Sequence, residues 1–397
     1  MSSENTPTEK TTSTPDTESV EVVETVIVPL RTSERKRERV STAIDEFQEM
    51  CSYMADILPS FSEPEWNLTN TSLYRVLTRE FPTEDREVGS KVALAAQRHV
   101  TAAFSQHAQT GDGELPSFGE RSYFRISNQN IDIVENDSGY GCEVRIIPGE
   151  PEWFHISPRP YTRKYLSRTV DGDATYGAGE FHLSDGGNLA LHLPVKWDVE
   201  MDVADGIEKT MGVDIGIRNL YSTAVVENGD VKDVSIKSGD EFAHHRHRLR
   251  EKRAKLSEKG DLNAVKQMRG DEERYTEQVL DTCSKRIVEL AAEHAPVVIR
   301  LEDLSEYREN NSYVIHDWPF AVLQTQIGNK ARAAGIPVEI VSAEDTSSTC
   351  RKCGDTNESY RRKDEFSCDN CGYEVHSDVN AAINIAQQDT VEETLNN

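Results

Sequence analysis

The spacing of apolar positions changes several times along this chain, and each change marks a new kind of predicted element. Glu21–Leu30 (EVVETVIVPL) is rich in β-branched residues and closes at Pro29, so it reads as one strand. From Thr32 to about His107 the period is helical. Val40, Ile44, Phe47, Cys51 and Met54 recur three or four apart over Arg35–Ile57, and a second helical run of about Glu84–Gln106 follows Phe81-Pro82. Past Gly111–Gly113 the period falls to two. Arg121–Ile126, Ile131–Val134, Cys142–Ile147 and Leu189–Val195 are short runs parted by Gly, Asn, Asp and Pro, as in a small antiparallel barrel or sandwich. The order strand, helices, strands predicts a β-barrel (21–31 and 109–205) carrying a helical insertion (32–108). Residues 1–20, polar and acidic, read as a disordered tail.

From Met211 the pattern changes again. Met211–Ile215, Tyr221–Glu227 and Val231–Ile236 read as strands, the last two joined by Asn228-Gly229, a strong hairpin signal. Helices over Asp240–Lys259 and about Asp271–His294 follow, then a strand Val297–Leu301, a helix of about Pro319–Ala334, a strand Pro337–Val341 and a final helix Asp378–Gln388. Three antiparallel strands and then alternating helix and strand is a ribonuclease-H-like order. The expected fold class is therefore mixed: an α/β C-terminal domain (206–344 and 375–388) interrupted by a small module (345–374), an all-β domain with its helical insertion before it, and an acidic tail (389–397).

That small module holds the clearest chemistry. Cys350-Arg-Lys-Cys353 and Cys368-Asp-Asn-Cys371 are two C-x2-C knuckles, spaced to place four thiolates around structural Zn²⁺. Gly354 and Gly372 follow the second cysteine of each knuckle and allow a turn that aims backbone N–H groups at sulfur. Cys51, Cys142 and Cys283, scattered singly, read as packing residues. Around the knuckles stand Arg351, Lys352, Arg361, Arg362 and Lys363 with Tyr360, Phe366 and Tyr373, a mixture suited to nucleic acid or simply to a solvated surface.

Three carboxylates lie where apolar residues belong. Asp214 interrupts the strand MGVDIGI, on the face it shares with Gly212 and Gly216; Glu302 ends VVIRLE; Asp378 opens the last helix. An ionised carboxylate in such a run is costly unless paired or bound to a cation. Converging carboxylate oxygens suit Mg²⁺ or Mn²⁺, and paired ions support phosphodiester cleavage. Singly, each has a plainer explanation: Asp378 as a helix cap, Glu302 exposed past its strand, Asp214 paired with Arg218.

Together the segments GVDIGIRNL (212–220), IRLEDLSEY (299–307), WPFAVLQTQIGNKARAAGIPVEIV (318–341) and DTSSTCRKCG…FSCDNCGYEVHSDVNAAINIA (345–386) resemble the TnpB/OrfB family of insertion-sequence proteins, RNA-guided nucleases regarded as relatives of type V CRISPR effectors. The resemblance is strong over roughly the last half of the chain and weaker in SLYRVLTREFP (72–82) and LPSFGERSYFRI (115–126). It implies a split RuvC-like endonuclease with Asp214, Glu302 and Asp378 as catalytic Mg²⁺ or Mn²⁺ ligands, a zinc ribbon between the second and third of them, and no organic cofactor. It further implies a wedge domain with a helical recognition insertion, and as partners DNA and a guide RNA from the transposon end. The alternatives on the same sequence are a non-catalytic guide- or DNA-binding regulator and a DDE-type transposase.

Charge departs from the family pattern. Forty-four Lys+Arg against 70 Asp+Glu give −26, with pI near 4.9 and Arg outnumbering Lys by 28 to 16. Such acidity resembles proteins of salt-accumulating halophiles, where surface carboxylate maintains solubility and salt screens repulsion. Basic stretches survive: His244–Arg274 has ten Lys/Arg against six Asp/Glu, and its His244, His245 and His247 read as solvated helix positions in preference to a metal site. No run is apolar and long enough to span a bilayer and the N-terminus carries no signal-peptide pattern, so a cytoplasmic protein without membrane partners is expected.

Overall fold

The computed structural model describes residues 17–60, 71–110, 115–119, 122–146, 151–184, 186–204, 206–303, 320–388 and 390–394. Two compact units divide these residues, one spanning Glu21–Asp198 and the other beginning at Val199 and including the stretch before Glu21. The division falls inside a long strand, some residues ahead of the break expected near 205.

β1 (Thr17–Arg31), which enters the first unit at Glu21, precedes three helices, α1 (Glu34–Ile57), α2 (Thr71–Glu80) and α3 (Ser90–Thr110). Ser33 caps α1 by accepting from the Lys36 N–H, and the five apolar positions read from the sequence are all buried on one face. The second helical run starts at Ser90, later than Glu84. The Glu46 carboxylate accepts the N–H groups of Glu87 and Val88 at 2.9 and 3.1 Å, so these amides are held by a side chain and not by a helical turn.

After the helices come β2 (Tyr123–Ile126), β3 (Ile131–Asn136), β4 (Gly139–Val144), β5 (Glu152–Ile156), α4 (Pro160–Asp171), β6 (Thr175–Tyr176), β7 (Gly179–Leu183) and β8 (Leu189–Asp202). Strand pairing runs β2-β7-β8-β1-β5-β4-β3, with β6 on β8. Alternate residues of β8 are buried along most of its length, and Phe124, Phe154 and Phe181 fill the core beneath the sheet. Thr17–Val20, expected in the acidic tail, belongs to β1, because Val20, Val22, Val26 and Val28 continue one alternation; residues 1–16 lie outside the described set.

The second unit is built on β9 (Lys209–Asp214), β10 (Asn219–Glu227), β11 (Asp230–Ser238), α5 (Asp240–Glu258), α6 (Leu262–Glu293), β12 (Val298–Glu302), α7 (Phe320–Ala333) and β13 (Val338–Val341). The Asn228-Gly229 hairpin forms, both residues having positive φ (52° and 80°), as a two-residue turn of this composition requires. A three-stranded module, β14 (Arg361–Arg362), β15 (Glu365–Ser367) and β16 (Glu374–His376), leads into α8 (Ser377–Gln387) and β17 (Thr390–Thr394). Sheet order is β11-β10-β9-β12-β13-β17, with β9, β12 and β13 mutually parallel.

Alternation along β9 and β10 sends Met211, Val213, Tyr221 and Val225 into a core with α6 and α7. Ala224 and Val226 face α8. Thr390–Thr394 corrects the expected C-terminal tail: it pairs antiparallel to β13, Val341 opposite Thr390. Cys51, Cys142 and Cys283 are buried packing residues.

Candidate metal-dependent active site

The parallel register of β9 and β12 sets Leu301 beside Val213, so Asp214 and Glu302, one position further on, end neighbouring strands at the same level. The third acid arrives on α8. Gly212 lies on the Asp214 face of β9, and a Cβ there would fall 2.0 Å from the Ala382 carbonyl oxygen and 2.5 Å from the Ala386 nitrogen. The space that Gly212 leaves is therefore filled by helix backbone. That close approach brings the first turn of α8, and with it Asp378, to the ends of β9 and β12.

Each simpler explanation of these acids gives way to a specific contact. Arg218 pairs with Asp364, not with Asp214. The capping acceptor of α8 is His376, through its Nδ1 and the Asp378 N–H, so Asp378 lies inside the first turn. Glu302 is partly buried and accepts a hydrogen bond from the Thr346 hydroxyl. Asp378, 7% exposed, accepts from Asn219 Nδ2 at 2.8 Å and from Arg361 Nη2 at 2.8 Å.

Burial, and then the negative charges of Glu302 and Asp378, push the Asp214 carboxyl well above its ordinary range, against a smaller opposing pull from Arg361. Burial also raises Glu302, with Thr346 and Arg361 pulling the other way. Asp214 thus feels both other carboxylates, and one guanidinium, Arg361, acts on Asp214 and Glu302 and pairs with Asp378. Among the described residues their oxygens do not all lie within 4.8 Å of one another, as the ligand atoms of the four cysteines do. Hard oxygen donors in this number suit Mg²⁺ or Mn²⁺, and Arg361 supplies the local positive charge at their edge.

Asn219, Thr346 and Arg361 were not singled out in the sequence as parts of this site. Arg361 was visible only as one of several basic residues around the knuckles; its partner Asp378 lies on a different element, and only the fold joins them.

The cysteine module packs against this site. Sγ–Sγ distances are 3.7 Å for Cys350–Cys371 and 3.6 Å for Cys353–Cys368, and the four sulfurs lie within 4.8 Å of one another. A Zn–S bond of ~2.3 Å in a tetrahedron implies S···S of about 3.8 Å, a spacing that these two pairs already match. Gly354 and Gly372 take positive φ (74° and 69°). Backbone N–H groups bond to sulfur as the turn chemistry predicts, and that of Asp355 is the main cause drawing the Cys353 thiol down to about 7.

Contacts from the module fix the start of α8. Ser377 donates its N–H to the Asp364 carbonyl and its hydroxyl to that of Lys363, while Asn380 and Asn384 donate to the Thr349 carbonyl at 2.7 and 2.8 Å. His244, His245 and His247 form no metal-ligating set among the described residues; His245 stacks on Tyr275 and His247 pairs with Glu251.

Residues 320–385 match a family model described as "Cas12f1-like, TNB domain". The chain is 23% identical over 348 residues to the CRISPR-associated endodeoxyribonuclease Cas12f1 of Sulfoacidibacillus thermotolerans, with 81% of each chain covered. It is 28% identical over 263 residues to the TnpB-like protein MJ0751 of Methanocaldococcus jannaschii, covering 62% of this chain and 90% of that one. Among solved structures, a Cas12f1 chain in a complex with sgRNA and target DNA shares the fold with a TM-score of 0.66 at 16% identity, over 89% of this chain and 83% of that one.

Proposed function

We infer that this chain, a TnpB-family relative of the type V effectors, is a transposon-associated RNA-guided DNA endonuclease whose active site is Asp214, Glu302 and Asp378 on a RuvC-like domain. The observation that carries the reading is the meeting of three acids from β9, β12 and α8 in one environment that raises the Asp214 carboxyl. Divalent ions bound there would activate a water and neutralise charge on the scissile phosphate. The protein's own part is positional. Two parallel strand ends fix Asp214 and Glu302, Asn219 and Arg361 hold the Asp378 carboxylate, and Thr346 holds that of Glu302. In guided nucleases base pairing reads the sequence while the protein reads a short flanking motif and duplex shape.

The four cysteines are proposed as a zinc ribbon that braces α8. The strands of the first unit are proposed as the wedge barrel (21–31, 109–205) and α1–α3 as its recognition insertion (32–108). A cytoplasmic location fits the absence, among the described residues, of a helix able to cross a membrane. A regulator or a DDE transposase is not favoured, because all three acids are present and gathered and the relatives are named endodeoxyribonucleases.

The test is cleavage of guide-matched DNA in Mg²⁺ by the purified chain with its own RNA. Asp214→Ala should lower the rate by about 10³-fold or more while RNA binding persists. Undiminished cutting would remove the site from consideration.

A further inference from the structure

A second cluster of ligating side chains lies in the first unit, apart from both the acids and the cysteines. Glu180 and His182 are two positions apart on β7 and so share a face. The β7–β8 register places His192 directly opposite Glu180, which puts all three side chains on that face. One ligand atom from each lies within 4.8 Å of the others, and Glu180 Oε2 is 3.2 Å from His182 Nε2. All three are partly exposed, so an ion has access.

Packing orients the rings. The imidazoles of His182 and His192 stack at 3.8 Å between centroids with 18° between planes. On its other flank His182 stacks on Tyr123 at 4.8 Å, its register partner on β2, whose hydroxyl is 3.2 Å from His99 Nε2. Two imidazoles and one carboxylate on adjacent strands are the donor set of an N/O transition-metal site, and because a ligated ion lies in the plane of each ring, binding must splay the His182–His192 stack. Imidazole excludes Mg²⁺ and Ca²⁺ as natural occupants, since these select oxygen. Ligand atoms around Zn²⁺ sit about 3.4 Å apart at bond lengths of ~2.0–2.2 Å, close to the observed spacing, and the two rings reach that arrangement by rotating out of the stack.

We propose that Glu180, His182 and His192 bind a zinc-type divalent ion, independently of the four cysteines, and cross-link β7 to β8. Three protein ligands leave a fourth position to water, so this ion exchanges more readily than one enclosed by four thiolates.

The full-length chain, loaded with Zn²⁺ and dialysed, is analysed for metal content. Two zinc ions per chain are expected in the wild type. The double variant His182→Gln/His192→Gln should retain one, and Cys350→Ser/Cys353→Ser should lose the other while keeping the site on β7 and β8. Because the double histidine variant disturbs a stack, Glu180→Gln provides a milder arm. Competition with a chromophoric chelator should show its affinity for the exchangeable ion weakened by about tenfold or more. A single zinc in the wild type, or unchanged affinity in Glu180→Gln, would overturn the proposal and leave the cluster an aromatic stack with an ion pair.

Discussion

Asp214 bears the electrostatic cost of the site. Its carboxyl is raised by burial and by two neighbouring carboxylates, so without a cation the folded protein resists its ionisation. The sign of the linkage follows. A group whose folded pKa exceeds its unfolded value makes stability fall as pH rises from the unfolded to the folded pKa, and the deficit persists above it. At neutral pH, Asp214→Asn should therefore melt higher than the wild type in EDTA, each kcal/mol relieved being worth about 2–4 °C in a unit of this size. Mg²⁺ should raise the melting temperature of the wild type and leave the variant nearly unmoved. A variant that melted lower in EDTA would contradict the origin of the shift. The acids themselves were legible in the sequence because a carboxylate inside an apolar run is conspicuous. Arg361 and Thr346 were not, since nothing local distinguishes an arginine that reaches a buried acid from one that faces water.

At the level of elements, α8 is held from two sides: by Gly212, which lets its backbone meet β9, and by the cysteine module, whose Lys363 and Asp364 carbonyls receive Ser377. Metal loss should thus reach Asp378 through a short path. Cys350→Ser should release zinc and lower cleavage by about tenfold or more, with RNA affinity much less affected, as read by metal analysis alongside the cleavage assay. Retention of both metal and activity would assign the module another role. The β9–β11 strands and the knuckles could be read from alternation and spacing. Two elements escaped that reading for definable reasons. β17 (TVEET) has the composition of a tail and becomes a strand only because β13 offers it an edge, and the first residues of α6 bury none of their side chains, Leu262 being 74% exposed, so no core-facing stripe marks them. The pairing of Glu180 with His192 likewise depends on a register that the sequence does not print.

Over the whole molecule, a net charge of −26 is a standing repulsion that salt screens. We propose adaptation to high salt: thermal stability should rise between about 0.1 M and 2 M KCl, where a Debye length shrinks from ~10 Å to under 3 Å. Flat or falling stability would place the acidity elsewhere in the protein's physiology. Binding of guide and target under such conditions would depend more on stacking, hydrogen bonds and base pairing than on counterion release.

The decisive measurement is anomalous diffraction from the chain bound to guide RNA and target DNA in Mn²⁺. Manganese peaks should stand between the carboxylates of Asp214, Glu302 and Asp378, at about 2.1–2.2 Å from their oxygens. A cleavage-competent complex with no metal there, or with Mn²⁺ held by other residues, would contradict the assignment.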